Sequence, residues 1–251
     1  MDVDRLAEKL IATRRSLDRL AALSADEIPA TAAEGYAVQD AILRHLAIPI
    51  AGWKAGAASP TAEPQAGPIL ADRMKPSPAR FTMPAKAFRT IEGEMAFMLG
   101  RDLPTRSLAY GEDEVWAAMA TLHVGIEVLE SSFIDRRKLS EHAVLGDLLN
   151  NGAYCYGAAI KDWRALDVAT PAASIWIDGK EVRRAKAGTP GGHPKRLLTW
   201  LANHAAARGV PLKAGMIITT GSHTGMLDAP PGATVEARFE NIGSATLTFA
   251  A

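Results

Sequence analysis

Two glutamates separated by one glycine are the residues of this sequence best arranged to do chemistry together. Glu92-Gly93-Glu94 lies in residues 91–99, whose apolar side chains alternate as in a β-strand. Residues i and i+2 of a strand share a face, so both carboxylates point the same way, with Cα atoms about 7 Å apart. Such carboxylates repel each other unless they are exposed to water or neutralised by a cation. The pair is therefore either a solvated strand face or part of a site for Mg²⁺, Mn²⁺ or Ca²⁺.

A third carboxylate favours the metal interpretation. Glu127 interrupts residues 124–129, an otherwise apolar run that predicts a second strand. A buried glutamate requires a partner, because an isolated charge in an apolar environment is strongly unfavourable. A divalent cation shared with Glu92 and Glu94 would provide that partner.

Two further residues could handle protons. Lys54 lies among small and apolar residues in Gly52-Trp53-Lys54-Ala55-Gly56. A lysine in this setting can approach a bound anion, and desolvation can lower its pKa towards that of a base. It can equally be an ordinary surface lysine. Asp72 precedes Arg73 and can simply form an ion pair with it.

Two glycine-rich turns are candidate ligand contacts. Residues 219–225 read Thr-Thr-Gly-Ser-His-Thr-Gly directly after a predicted strand. Backbone N–H groups near Gly221, with the hydroxyls of Ser222 and Thr224, fit a carboxylate cradle, but also an ordinary turn. His193, in Gly-Gly-His-Pro, precedes a predicted helix and is either a ligand contact or part of a capping loop.

The elements that must position these residues are of mixed type. Amphipathic helices are predicted over residues 3–23 and 31–46, and a boundary near residue 48 separates an N-terminal helical region (1–48) from the remainder (49–251). Residues 52–84 predict loop with short strands. Asp178-Gly179 predicts a hairpin. Further helices are predicted over 112–122 and 196–208, and strands over 216–220, 234–239 and 246–249. Because strands and helices do not alternate regularly, the fold class expected is α+β.

Composition excludes several classes of protein. The 251 residues hold 28 basic and 28 acidic side chains, without the basic surplus of a nucleic-acid-binding protein. A single cysteine, Cys155, excludes an intramolecular disulfide and any multi-cysteine metal site. No apolar run approaches the length of about 18 residues needed for a transmembrane helix. The charged N-terminus lacks the apolar segment of a secretory signal, so the expected compartment is the cytoplasm.

The motifs in order resemble one known family. Together they are similar to the 2-keto-4-pentenoate hydratase and 4-oxalocrotonate decarboxylase branch of the fumarylacetoacetate hydrolase superfamily. The segments that carry this resemblance are Glu34-Gly35-Tyr36-Ala37-Val38-Gln39, Gly52-Trp53-Lys54-Ala55-Gly56, Ile91-Glu92-Gly93-Glu94-Met95-Ala96-Phe97, Gly125-Ile126-Glu127-Val128, Gly192-His193-Pro194 and residues 220–225.

The resemblance implies a fold, a site and an assembly. The fold implied is a mixed β-roll core behind an N-terminal helical region, in a homo-oligomer that can associate with a related decarboxylase or hydratase. Mg²⁺ or Mn²⁺ is expected on Glu92, Glu94 and Glu127, with Lys54 and Asp72 moving protons. The expected substrate contacts are Gly221, Ser222, Thr224 and His193.

The resemblance leaves the reaction open. A 2-oxo acid chelates a divalent ion through one carboxylate oxygen and the C2 oxygen, and the ion stabilises negative charge there. This chemistry serves hydration of a 2-hydroxy-2,4-dienoate, the expected reaction. It also serves decarboxylation of a 4-oxalocrotonate-type acid and C–C bond hydrolysis, and a non-catalytic 2-oxo-acid-binding subunit is a fourth interpretation.

Two features of the sequence bear on that choice. Relatives of this branch commonly carry Ala-Asp-Asn where this sequence has Gly146-Asp147-Leu148, so the local hydrogen bonding differs. The basic residues Arg183, Arg184 and Lys186 form either a solvated edge, the interpretation favoured for a run of charges, or a contact to a second substrate carboxylate.

Overall fold

The structure, a computed structural model, describes residues 1–186 and 188–250. Over these residues the chain forms five α-helices and thirteen β-strands. The helices are α1 (Val3–Ser16), α2 (Ala32–Leu46), α3 (Glu112–Ala118), α4 (Glu141–Gly146) and α5 (Pro194–Ala207). The strands are β1 (Ile50–Gly56), β2 (Gln65–Leu70), β3 (Met74–Pro76), β4 (Ala79–Thr82), β5 (Thr90–Leu99), β6 (Met119–Leu129), β7 (Asn151–Tyr156), β8 (Ala172–Ile177), β9 (Lys180–Lys186), β10 (Ile217–Ser222), β11 (Leu227–Asp228), β12 (Thr234–Phe239) and β13 (Gly243–Ala250).

The strands form two mixed sheets. The larger has the order β2-β1-β10-β5-β6-β7-β3, with β11 paired to β5 outside this path. The smaller has the order β4-β13-β12-β8-β9. The pairs β1–β10, β3–β7 and β4–β13 are parallel, and the other strand pairs are antiparallel. The expected α+β class with a mixed β core is confirmed.

One large apolar core joins the two sheets. It includes Phe97 of the larger sheet, Ile175 and Phe249 of the smaller, and Leu197 of α5, all fully buried. Trp163 packs edge-on against Phe97, with ring centroids 5.2 Å apart. This core fixes β5 and β6 at the centre of the larger sheet, so the residues on their polar face have a rigid support.

The two N-terminal helices build a second, smaller core. Leu10 of α1 and Ile42 of α2 cluster there with Phe133 and Leu148 from later in the chain. The helix predicted over residues 3–23 ends earlier, at Ser16, because Leu17 turns left-handed (φ 60°) and donates its N–H to the Thr13 carbonyl. The division of the chain at residue 48 stays a prediction.

Other predicted boundaries shift for identifiable reasons. The helix expected over residues 112–122 ends at Ala118, because residues from Met119 onward pair with β5. Strand β7 was not predicted. Helix α5 begins at Pro194, with its N-terminus capped by the His193 side chain. None of the helices over the described residues is long and apolar enough to cross a lipid bilayer.

Candidate metal centre

Strand register brings the three predicted glutamates together. Glu92 of β5 lies directly opposite Glu127 of β6, and Glu94 lies opposite Gly125. Residues two apart on a strand share a face, so all three carboxylates point to the same side of the sheet. One oxygen from each lies within 4.8 Å of the others. Glu94 and Glu127 are buried, and Glu92 is half-buried.

The electrostatics of this cluster fit a bound cation. Burial raises the pKa of Glu94 well above its usual value, and the charges of Glu127 and Glu92 raise it further. Burial, followed by the charge of Glu127, also raises the pKa of Glu92. A positive charge placed beside these carboxylates would favour their ionised forms. Three convergent carboxylates are a donor set that suits a hard divalent cation.

Gly125 makes room beside the cluster for a phenol. A Cβ atom at Gly125 would lie 1.9 Å from the Tyr154 hydroxyl oxygen, so no larger residue fits there. Tyr154 pairs with Glu127 across β6 and β7 and is fully buried. Burial, together with the charge of Glu94, raises its pKa well above the usual value. Its hydroxyl has no hydrogen-bond partner among the described residues, which leaves a polar atom at the edge of the carboxylate cluster.

Lys54 is already bound to the cluster. Its Nζ donates to both oxygens of Glu127, at 2.7 and 2.8 Å, and to the Leu149 carbonyl at 3.0 Å. Its strand, β1, lies tightly against β10, since a Cβ atom at Gly52 would be 2.3 Å from the Ile217 carbonyl oxygen. Lys54 is therefore an ordered and largely buried ammonium group.

The lowering of the Lys54 pKa by desolvation, which the sequence allowed, does not prevail in the structure. Burial does act in that direction, but the charges of Glu127, Glu94 and Glu92 together outweigh it and raise the pKa above its usual value. Sequence reasoning considered the apolar neighbours of Lys54 along the chain. It did not include the carboxylates that the fold places beside the ammonium.

Asn151 and the segment that positions it were not predicted from the sequence. The Asn151 side-chain amide donates to Glu127 Oε1 at 2.8 Å. The three preceding residues, Leu148, Leu149 and Asn150, all have left-handed backbone conformations, with φ of 53°, 53° and 57°. For residues with a side chain this conformation costs roughly 1–2 kcal/mol each. Asparagine tolerates it better than leucine, so only Asn150 carried a sequence signal.

The glycine- and hydroxyl-rich turn lies beside the carboxylates. Thr219 Oγ1 donates to Glu94 Oε2 at 2.6 Å, and the Gly93 N–H donates to Thr224 Oγ1 at 2.9 Å. Ser222 lies opposite Glu94 in the pairing of β10 with β5. Gly221 has a φ of 95°, a conformation that favours glycine. The structure thus brings Gly221, Ser222 and Thr224 to the cluster, and their contact with a substrate stays a prediction.

Asp72 and His193 contact other residues than the glutamates and Lys54. Asp72 is in a short 3-10 turn with its side chain 46% exposed, and it contacts Arg73 at 3.4 Å. His193 is exposed, accepts a hydrogen bond from the Lys195 N–H and lies near the Trp116 ring. Among the described residues, no hydrogen bond or ion pair joins either side chain to the glutamates or Lys54. Asp72 thus contacts Arg73 and His193 caps helix α5, and their roles with a substrate stay predictions.

Two arginines flank the turn. Arg183 Nη1 donates to the Thr224 carbonyl at 3.4 Å, whereas its neighbour Arg184 forms an ion pair with Glu181. From the other side, Arg136 contacts Met226 and is close enough to Glu92 for its charge to act on that carboxyl group. Arg136 and Met226 line a cavity of about 490 Å³. Sequence reasoning missed Arg136, since nothing near it in the chain indicates this position.

Comparison with known proteins identifies the family. The fumarylacetoacetate (FAA) hydrolase C-terminal family matches residues 55–250. The chain belongs to this family. The match includes all three glutamates, and it confirms the family resemblance seen in the sequence.

The curated relatives of this chain are named either as hydratases or as decarboxylases. A 2-hydroxyhexa-2,4-dienoate hydratase of Comamonas testosteroni is 29% identical over 158 residues, which are 63% of this chain and 59% of the relative. A 2-keto-4-pentenoate hydratase of Paraburkholderia xenovorans is 27% identical over 63% of this chain and 58% of its own length. A 4-oxalocrotonate decarboxylase of a Pseudomonas species is 28% identical over 61% and 58%. The chain thus spans about three-fifths of the length of the curated relatives it matches.

Solved structures share the fold over nearly the whole chain. A 4-oxalocrotonate decarboxylase from Pseudomonas putida G7, complexed with magnesium and adipate, superposes with a TM-score of 0.84. The superposition covers 98% of this chain and 97% of that one at 23% identity. The same enzyme complexed with calcium and acetate gives 0.83. At this identity the likeness establishes the fold alone.

Proposed function

We propose that this protein is a metal-dependent lyase that adds water to a 2-hydroxy-2,4-dienoate and yields a 4-hydroxy-2-oxo acid. The observation that carries the proposal is the convergence of Glu92, Glu94 and Glu127 beside the ammonium of Lys54. The hydratase names of several relatives support it. Magnesium or manganese, when bound, would supply Lewis-acid stabilisation of negative charge at the C2 oxygen of the substrate.

The residues around the cluster would bind and orient the substrate. The turn carrying Gly221, Ser222 and Thr224 lies beside Glu92 and would receive the substrate carboxylate through its N–H and hydroxyl groups. Its backbone is fixed by the Gly93–Thr224 hydrogen bond, so these donors are held in place before a ligand arrives.

Lys54 would act as a proton donor. Its ammonium group, held 2.7 Å from Glu127 Oε1, would deliver a proton to a carbon of the dienol, after which water adds. Asp72 stays a prediction as a second proton-handling residue, and His193 stays one as a substrate contact. A homo-oligomer, alone or associated with a related decarboxylase or hydratase, is likewise part of the proposal.

One observation favours a second candidate reaction, decarboxylation of a dicarboxylic 2-oxo acid. Arg136 and Arg183 flank the turn at residues 224–226, and neither forms an ion pair with a carboxylate among the described residues. Either guanidinium group could receive the distal carboxylate of a dicarboxylic substrate, which a simple dienoate lacks.

Product analysis tests the two candidates directly. The purified protein is incubated with Mg²⁺ or Mn²⁺ and either 2-hydroxypenta-2,4-dienoate or 4-oxalocrotonate. Loss of dienoate absorbance with formation of the 4-hydroxy-2-oxo acid supports the hydratase, whereas release of CO₂ from 4-oxalocrotonate supports the decarboxylase. Binding of oxalate and metal without turnover of either substrate would refute both and support a non-catalytic subunit.

A further inference from the structure

The left-handed segment at residues 148–150 has two contacts that matter to the metal centre. The Leu149 carbonyl accepts a hydrogen bond from Lys54, and the Asn151 amide donates one to Glu127. Three consecutive left-handed residues are unfavourable for an L-peptide chain, so contacts outside the segment must hold it.

One side chain from helix α1 contacts both ends of this segment. Arg14 Nε donates to Asp147 Oδ1 at 2.7 Å, and its Nη2 donates to the Asp147 carbonyl at 2.6 Å. Its Nη1 donates to the Asn151 carbonyl at 2.7 Å, and Nη2 also reaches the Glu130 carbonyl at 3.3 Å. The guanidinium group therefore bridges the residue before the left-handed segment and the residue after it.

Asp147, the carboxylate that Arg14 binds, is itself held in place by other contacts. The Asp147 side chain is fully buried, and its two oxygens also accept hydrogen bonds from Ser131 and Ser132. The Arg14 side chain is only 16% exposed. A planar guanidinium group with several fixed donors is suited to this multiple contact, and an ammonium group cannot reproduce it.

We propose that Arg14 is a positioning residue for the metal centre, acting through the segment from Asp147 to Asn151 on Glu127 and Lys54. Helix α1 would then be part of the machinery that orders a metal-binding carboxylate, although it lies far from Glu127 along the chain. The inference rests on the proposal that the glutamates bind a divalent cation, but it does not depend on which reaction follows.

The chain offers a matched control in Arg19. Its ion pair with Glu130 has the same 2.7 Å length, and its side chain is 10% exposed. It also donates to two backbone carbonyls, those of Ser131 and Lys86. Arg19 has no hydrogen bond to residues 147–151 among the described residues. Glu130 does contact the segment, but through its backbone N–H, which donates to the Asn150 carbonyl and does not depend on the side chain at position 19. Arg19→Lys should therefore perturb the N-terminal region to a similar degree without displacing Glu127.

The test measures Mn²⁺ affinity by electron paramagnetic resonance of the free ion, at pH 7.5 and without substrate. Partners of metal ligands typically change affinity by about 10- to 100-fold when they are mutated. We expect Arg14→Lys to weaken Mn²⁺ binding by at least about tenfold. Arg19→Lys should stay within about twofold of the wild type. Circular dichroism and unfolding in EDTA establish that each variant is folded.

A second variant keeps the inference testable if Arg14→Lys does not fold. Asn151→Ala removes the contact to Glu127 directly and should weaken Mn²⁺ binding by itself. Where both fold, the double variant should lose less affinity than the two single losses combined, because both residues act on Glu127. Equal affinity of wild type and Arg14→Lys, full additivity, an unaffected Asn151→Ala, or an equal loss in Arg19→Lys would overturn the inference. Absence of Mn²⁺ binding by the wild type would refute the proposed metal site itself, and with it this inference.

Discussion

Replacing Lys54 by methionine tests the charge balance of the metal centre most directly. Methionine has a similar length but no charge, so the change leaves the buried Glu127 without its ammonium partner. In the wild type the Nζ–oxygen distance is 2.7 Å, and the two side chains are 14% and 0% exposed. This is a buried ion pair, for which removal of one partner is far more costly than for a pair at the surface.

The expected loss follows from that burial. Removing one partner of a buried ion pair costs about 3–5 kcal/mol of unfolding free energy, because the remaining charge is desolvated and uncompensated. For a chain of this length, each kcal/mol corresponds to roughly 2–4 °C in Tm, so Lys54→Met should lower Tm by about 6–20 °C in EDTA. Lys86→Met is the matched control, since Lys86 pairs with Asp18 at 2.8 Å but both side chains are about 70% exposed. It should change Tm little, because an ion pair exposed to solvent contributes little to stability.

The effect of Mg²⁺ on Tm shows whether Lys54→Met destabilises the protein through lost charge balance or through altered packing. Thermal unfolding is followed in EDTA and then in saturating Mg²⁺. Because a cation on the glutamates would replace the missing ammonium, Mg²⁺ should at least halve the deficit of Lys54→Met and leave the small deficit of Lys86→Met unchanged. Turnover should still fall by at least about 10²-fold, since the proton donor is absent. A Lys54→Met protein as stable as wild type in EDTA, or with a deficit unaffected by Mg²⁺, would refute this reasoning.

Three further predictions concern the surroundings of the site. Gly125→Ala should destabilise the protein by about 1–3 kcal/mol in chemical denaturation, because its methyl group meets the Tyr154 hydroxyl, whereas Gly56→Ala, with open space around it, should be nearly neutral. Burial lowers the pKa of His223 to about 4, below its value of about 6.5 in the unfolded chain. The neutral side chain therefore adds up to roughly 3 kcal/mol to the free energy of unfolding. This addition is complete above about pH 6.5 and is lost as the pH falls towards about 4. His223→Leu should flatten that part of the stability profile, and an unchanged slope would contradict the assignment. Asp72→Asn should reduce kcat by about 10²-fold if Asp72 transfers protons, whereas unchanged kcat would confine it to its surface pair with Arg73.

Strand periodicity made the glutamate cluster predictable. Glu92 and Glu94 must share a face because they are two residues apart on a strand, and Glu127 stood out as a charge in an apolar run. Periodicity does not specify which residues pair across two strands. The register that sets Glu127 opposite Glu92 is determined by packing of the whole sheet, so the sequence supported the cluster without demonstrating it.

The rest of the site depends on contacts between residues distant in the chain. Burial acts to lower the pKa of Lys54, but carboxylates on other strands raise it overall, and local composition does not reveal those carboxylates. The left-handed backbone at Leu148 and Leu149 has no local signal, because leucine does not favour that conformation. It persists because Arg14 and Lys54, both far from it along the chain, bind its ends and its carbonyl.

The charge of the site explains why these long-range contacts converge there. When ionised, three carboxylates and one ammonium leave a formal charge of minus two in a largely buried cluster, which one divalent cation would neutralise. Without that cation, burial and then the charge of Glu127 raise the pKa values of Glu92 and Glu94. Cation binding should therefore release protons, and the apparent affinity should rise with pH through the range where these carboxyls titrate. Without a cation, the buried carboxylates lower the free energy of unfolding of the protein. The same cluster is well suited to a site that is completed by Mg²⁺ or Mn²⁺.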